Sequence, residues 1–135
     1  MAEKMNQFKR PLKKYDSLTE LLLDKDLASL GDSYVNFVYS LAMSQRQGRP
    51  TGAKVNNKVL ANAVVASGLR RLLPRRIDRH ARGNAAEALL VFAWLQDTLE
   101  MDECIKVLRE EDPVDAFSSL LRKALDRLGV RCEHK

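Results

Sequence analysis

Two cysteines in 135 residues, Cys104 and Cys132, lie too far apart to form a CxxC pair. Their scarcity excludes a disulfide framework, a zinc ribbon and a thioredoxin-like centre, and predicts reduced thiols. Histidine is as scarce: His134 is near the C-terminal end and His80 sits in a basic stretch. A Ser-His-Asp or Cys-His arrangement would need His80 as its base, and no nucleophile stands out beside it. Neither GxxxxGK[ST] nor GxGxxG occurs, so the common phosphate and dinucleotide cradles are excluded. No apolar run approaches the roughly 18 residues of a membrane span, and residues 1–15 lack the apolar core of a signal peptide, so the sequence predicts a soluble, cytoplasmic protein. Aromatics make up only 6% of the chain. Tyr34, Phe37, Phe92 and Trp94 fall at helical core spacing, which favours packing over base stacking.

A hydrophobic content of 45% supports one ordinary core, and the length is too short for two domains. Residues 1–15, with Lys4, Lys9, Arg10, Pro11, Lys13 and Lys14, read as a flexible basic arm, and residues 16–135 as a single domain. Much of the formal charge of +5 traces to that arm and to a second segment carrying Arg70, Arg71, Arg75, Arg76, Arg79, His80 and Arg82 against Asp78. Arginine's planar fork suits phosphate oxygens, so this segment is a candidate nucleic-acid contact; the alternative is a solvated basic surface.

Periodicity predicts an all-α fold. Ser17 and Glu20 have capping-box spacing before a short helix through Leu23. Residues 26–44 place Leu27, Leu30, Tyr34, Phe37, Val38 and Leu41 on one helical face, with apolar Ala28, Val35 and Tyr39 opposite and a narrow polar strip of Ser29, Ser33, Asn36 and Ser40, which predicts a central, buried helix. The alternation over residues 34–40 also fits a strand, but the longer period favours helix. Gly48, Pro50 and Gly52 predict a loop over residues 45–52. Asn56 or Asn57 can cap a helix that Ser67 and Gly68 end, and one more turn can follow before Pro74. The arginine-rich connection is expected to run to Gly83, with Asn84 and Glu87 capping an apolar helix that reaches about Leu99. Residues 102–110 predict a further helix. Asp112-Pro113 starts the last, whose stripe of Phe117, Leu120, Leu121, Ala124, Leu125 and Leu128 runs to Gly129.

Two carboxylates are out of place on the predicted central helices. Asp32 follows Gly31 within a helix that offers apolar or small groups almost all round, and a buried acid there needs a donor, a cation or a proton. A glycine inside a helix costs about 1 kcal/mol relative to alanine and commonly marks a close approach to the backbone. Glu87 is the only charge between Gly83 and Leu95. Either has an ordinary explanation: Asp32 can pair with an arginine or a helix terminus, and Glu87 can complete a cap with Asn84. Together they can also anchor Mg²⁺, which takes oxygen ligands and keeps several waters while one or two carboxylates hold it.

Local motifs add a family resemblance over roughly residues 17–100. Leu27-Ala28-Ser29-Leu30-Gly31-Asp32-Ser33 resembles the LGDS signature helix of ribonuclease III domains. Val55-Asn56-Asn57-Lys58-Val59-Leu60-Ala61 looks like that family's asparagine-containing helix start, and Gly83-Asn84-Ala85-Ala86-Glu87-Ala88 like its DxxEA helix, in the same order. The chain is most similar to small members that consist of little more than the nuclease domain. The resemblance implies a ribonuclease III-like helical bundle, a homodimer, and a metal-dependent endoribonuclease acting on double-stranded or structured RNA. It implies Asp32 and Glu87 as catalytic, Mg²⁺-holding residues (Mn²⁺ being possible), Asn84 as a weak or water-mediated ligand, and the arginine-rich segment as the RNA contact. The pattern also departs from the family: Asn84, Ala28 and Lys25 stand where acids are expected, and Ser29 where a bulky dimer-contact residue is. An RNA-binding protein with weakened or lost catalysis is therefore the alternative. A helical adaptor or DNA-binding protein is a third reading.

Overall fold

Two helices cross at the centre of the molecule. The computed structural model describes residues 13–130, and among these there are six α-helices and no strand: α1 Leu18–Leu22, α2 Lys25–Gln47, α3 Asn57–Ser67, α4 Arg79–Leu95, α5 Met101–Glu110 and α6 Pro113–Arg127, with a 3-10 turn, Leu69–Leu72, after α3. The α2–α4 pair makes the most extensive contact; α3 and α6 pack on each other, α4 also meets α3, and α5 lies on α2. Residues 1–12 of the expected arm, together with Cys132 and His134, lie outside the described residues. Lys13 and Tyr15, which the sequence assigns to that arm, are tied down. The Tyr15 hydroxyl donates to Asp24 at 2.6 Å, its ring meets Phe92 edge-on, and Lys13 pairs with the same aspartate.

The helix boundaries follow from their caps. Ser17 accepts from the Glu20 N–H, while Glu20 reaches back to the N–H of Asp16, one residue before the cap. Gly48 ends α2 in the left-handed conformation, φ +75°, which glycine adopts without steric cost. Asn56 caps α3 by accepting from the Lys58 N–H at 2.8 Å, and Gly68 ends it. The apolar stripe of α6 is fully buried at Phe117, Leu120, Leu121 and Leu125; at roughly 1.5–3 kcal/mol for each large apolar side chain, that face anchors the bundle.

Two expectations are corrected. Helix α4 begins at Arg79, capped by Asp78, whose side chain accepts from the Ala81 N–H at 2.8 Å. The Asn84–Glu87 cap does not exist, because Asp78 supplies a cap a turn and a half earlier. The helix ends at Leu95, short of Leu99. On α2, the buried stripe is Leu27, Ala28, Gly31, Tyr34, Val35, Val38 and Ala42; Leu30 is 40% and Phe37 56% exposed. The small residues face inward so that α4 can approach closely, which turns the larger Leu30 and Phe37 outward. The other aromatics pack as expected, Tyr34 stacking on Trp94 with centroids 5.1 Å apart. Cys104 is buried and free, its thiol beside the Tyr34 hydroxyl.

Candidate active site

The closest crossing of α2 and α4 is at Gly31, where an added β-carbon would overlap the backbone carbonyl of Glu87. One turn earlier on α4, a β-carbon on Gly83 would overlap the Asn57 side-chain oxygen. These two glycines let the N-terminal halves of α2, α3 and α4 converge, and both candidate carboxylates sit at that convergence.

Glu87 is buried, 8% exposed, more than two turns inside α4 and so without any capping role. Asp32, beside the contact glycine, is exposed, contrary to the buried position expected from the sequence. Their carboxyl groups lie within hydrogen-bonding reach of each other. Burial, then the hydrogen bond to Asp32 and its charge, push the Glu87 carboxyl up to about 8. No basic side chain pairs with either residue among the described residues. The arrangement sets two acids side by side, and Glu87, with its carboxyl raised to about 8, keeps its proton through neutral pH.

A divalent cation fits this donor set. Its charge would replace the proton on Glu87, and two carboxylates with coordinated water suit the oxygen preference of Mg²⁺. Among the described residues no cluster of three or more acidic, histidine or cysteine side chains offers a fuller set of ligands. Asn84 lies one turn before Glu87 and lines a small open pocket with Leu22, Leu23, Asp24, Lys25 and Ala81. Lys25 and Asn84, both at family acidic positions, therefore face the same pocket, while Ala28 is in the core.

The basic residues divide. Arg71, Arg75, Arg76, Arg79 and His80 are exposed. Arg70 is turned onto its own loop, donating to the carbonyls of Pro74 and Arg75 at 3.0 and 2.6 Å. Arg82 is half-buried, its Nε without a hydrogen-bond partner. Arg79, His80 and Arg82 belong to the start of α4 rather than to a loop, and Lys58 to the first turn of α3. Neither of these first turns carries an acid, whereas α1, α2, α5 and α6 all do. Cations at a helix N-terminus oppose the helix dipole by about 0.3–1 kcal/mol each, and both basic termini flank the acid pair.

The sequence reading missed two features. Residues 33–77 contain no acid and eight basic residues, among them Arg46, Arg49, Lys54 and Lys58; an acid-free tract is a signal that counting arginines alone overlooks. The second is a strap, residues 49–56, that lies extended along α2. Ser44 exchanges hydrogen bonds with the N–H and C=O of Thr51, and Ser40 does the same with Ala53. Asn36 accepts from the N–H of Val55 at 2.8 Å. Steps of four on the helix match steps of two on the strap because about 6 Å of helix equals about 6.6 Å of extended chain. Gly52, Lys54 and Asn56 consequently face outward, and Lys58 at the start of α3 is exposed beside them.

No curated protein matches the chain. A family model described as Ribonuclease III matches residues 25–128, from the start of α2 past the end of α6, and includes both carboxylates. With an all-helical fold and a match over most of its length, the chain belongs to the ribonuclease III family of nucleases.

Proposed function

We propose that the protein is a metal-dependent endoribonuclease that hydrolyses phosphodiesters of double-stranded or structured RNA, with Asp32 and Glu87 as its catalytic carboxylates. The observation that carries this reading is the acid pair itself: two adjacent carboxylates, one buried, with no basic partner among the described residues. Glu87 and Asp32 would hold Mg²⁺ or Mn²⁺, with Asn84 contributing at most through water. The bound cation supplies charge that lowers the pKa of water and offsets the charge developing on the phosphodiester. Glu87 supplies a ligand fixed by α4, and exposed Asp32 faces the solvent side from which RNA arrives.

Exposed Arg71, Arg75, Arg76, Arg79 and His80, with Lys54 on the strap and Lys58 at the start of α3, would neutralise backbone phosphates; a duplex read by shape and phosphate needs little sequence recognition. A cytoplasmic homodimer is part of the same reading. The exposed Leu30 and Phe37, seven residues apart on one side of α2, support a second copy as the partner, although Ser29 offers little bulk beside them. Among the described residues no helix is long and apolar enough to cross a membrane.

The test is cleavage of a duplex RNA with Mg²⁺ or Mn²⁺. Cleavage that disappears in Asp32→Asn and Glu87→Gln supports the reading; cleavage unchanged in both removes the site. A second reading, an RNA-binding protein without turnover, is favoured by Asn84, Lys25 and Ala28 standing at acidic positions. It expects salt-sensitive duplex binding with no cleavage at millimolar metal, and under it Asn84→Asp restores activity rather than merely enhancing it.

A further inference from the structure

Between the strap and the acid pair stands one neutral side chain that touches both. The Asn36 amide oxygen accepts from the backbone N–H of Val55 at 2.8 Å, and its amide nitrogen donates to Asp32 Oδ1 at 3.2 Å. An amide has one accepting end and one donating end. With its oxygen committed to a backbone N–H, the donating end must face Asp32; the reversed amide would set oxygen against carboxylate and two N–H groups against each other. We propose that Asn36 is a positioning residue for Asp32, holding the carboxylate toward Glu87 and tying its orientation to the seating of the 49–56 strap.

The chemistry at position 36 fits that role. Asparagine is a mediocre helix former, yet it stands in the middle of α2 on the same edge as Ser40 and Ser44, where the strap is bound. Serine is too short to span from the strap to a carboxylate one turn away. Lysine or arginine could reach but would neutralise the acid pair that a cation needs. A neutral donor orients Asp32 and leaves its charge available. The strap bonds at Ser44, Ser40 and Asn36 run in sequence toward Asp32, so a strap lifted from α2 frees the carboxylate to rotate away from Glu87.

This inference rests on the acid pair as the active centre, and its test has one readout independent of activity. In the ¹⁵N-labelled full chain, the side-chain amide signals of Asn36 should lie apart from those of solvent-exposed asparagines and should shift in both Asp32→Ala and Val55→Pro. Val55→Pro removes the N–H that orients the amide, at a position outside any helix. Asn36 signals that are unchanged in both variants overturn the proposal. In cleavage assays, Asn36→Asp keeps the acceptor for Val55 but turns an anion toward Asp32. Asn36→Asp and Val55→Pro should each lower kcat at least about 10-fold with KM within about twofold, with Asn36→Gln recovering part of the loss. Wild-type kcat in both Asn36→Asp and Val55→Pro also overturns it. If Asn36→Asp fails to fold, Val55→Pro decides the kinetic arm. If the wild-type chain does not cleave RNA, the nuclease reading fails by itself and the amide signals alone decide the positioning role.

Discussion

Two acidic centres of this molecule are built in opposite ways. Glu103 on α5 lies between Arg127 and Lys123 of α6: the two terminal guanidinium nitrogens meet its oxygens at 2.7 Å and the ammonium stands at 3.5 Å. Those cations, the Arg127 hydrogen bond foremost, hold its carboxyl below the usual range. Glu87 on α4 lies against a second acid, with no basic side chain paired to it among the described residues, and its carboxyl is pushed the other way. One centre is complete within the chain and fastens two helices. The other keeps a buried acid protonated beside a second acid, and perturbed carboxyls of this kind cluster at functional sites.

The largest effect expected from breaking this contrast is on catalysis. Asp32→Asn and Glu87→Gln should each lower duplex-RNA cleavage by on the order of 10³-fold, about 4 kcal/mol of transition-state stabilisation, whereas Glu103→Gln should retain it. The next is the pH dependence of stability, measured by denaturant unfolding in chelator. Between about 4.5 and about 8 the folded chain keeps a proton on Glu87 that the unfolded chain has lost. Stability from this group therefore falls as pH rises through that window, by about a few kcal/mol, and levels off above it. Glu87→Gln should abolish that slope. Glu103 works in the opposite sense: its contribution is present above the ordinary carboxylate pKa and disappears as pH falls through its lowered folded value.

Smaller effects concern what holds each centre in place. Gly31→Ala should destabilise the fold by about 1–3 kcal/mol, because the obstruction is the backbone carbonyl of Glu87, which no rotamer change can move. It should also impair cleavage in the fraction that folds. Glu103→Gln should cost only about 1 kcal/mol in chemical denaturation, the scale of a partly exposed ion pair.

How much of this could be read from residues alone depends on what each feature rests on. The helices were legible wherever local chemistry sets them: the Ser17 and Asn56 caps, Gly48 and Gly68 as stops, and the stripe on α6. Helix α4 was misplaced at its start because Asp78, a cap, was counted only as a charge against the arginines and Asn84–Glu87 offered a plausible false cap. The burial of α2 was rotated because hydrophobicity favours Leu30 and Phe37, while packing at a close helix crossing favours Gly31, Ala28 and Ala42. Asp32 and Glu87 stood out as anomalies, and the structure sets them side by side. Neither the strap nor the role of Asn36 was legible, since both depend on a helix edge matching an extended segment that begins beyond the turn at Gly48.

We propose that the pair on α2 and α4 binds a divalent cation, unlike the completed centre on α5 and α6. Calorimetric titration of Mn²⁺ into the wild-type chain, Glu87→Gln and Glu103→Gln tests it most directly. Binding in the wild type and Glu103→Gln that is lost in Glu87→Gln is the expected result. Equal binding in all three, or none in the wild type, would contradict it.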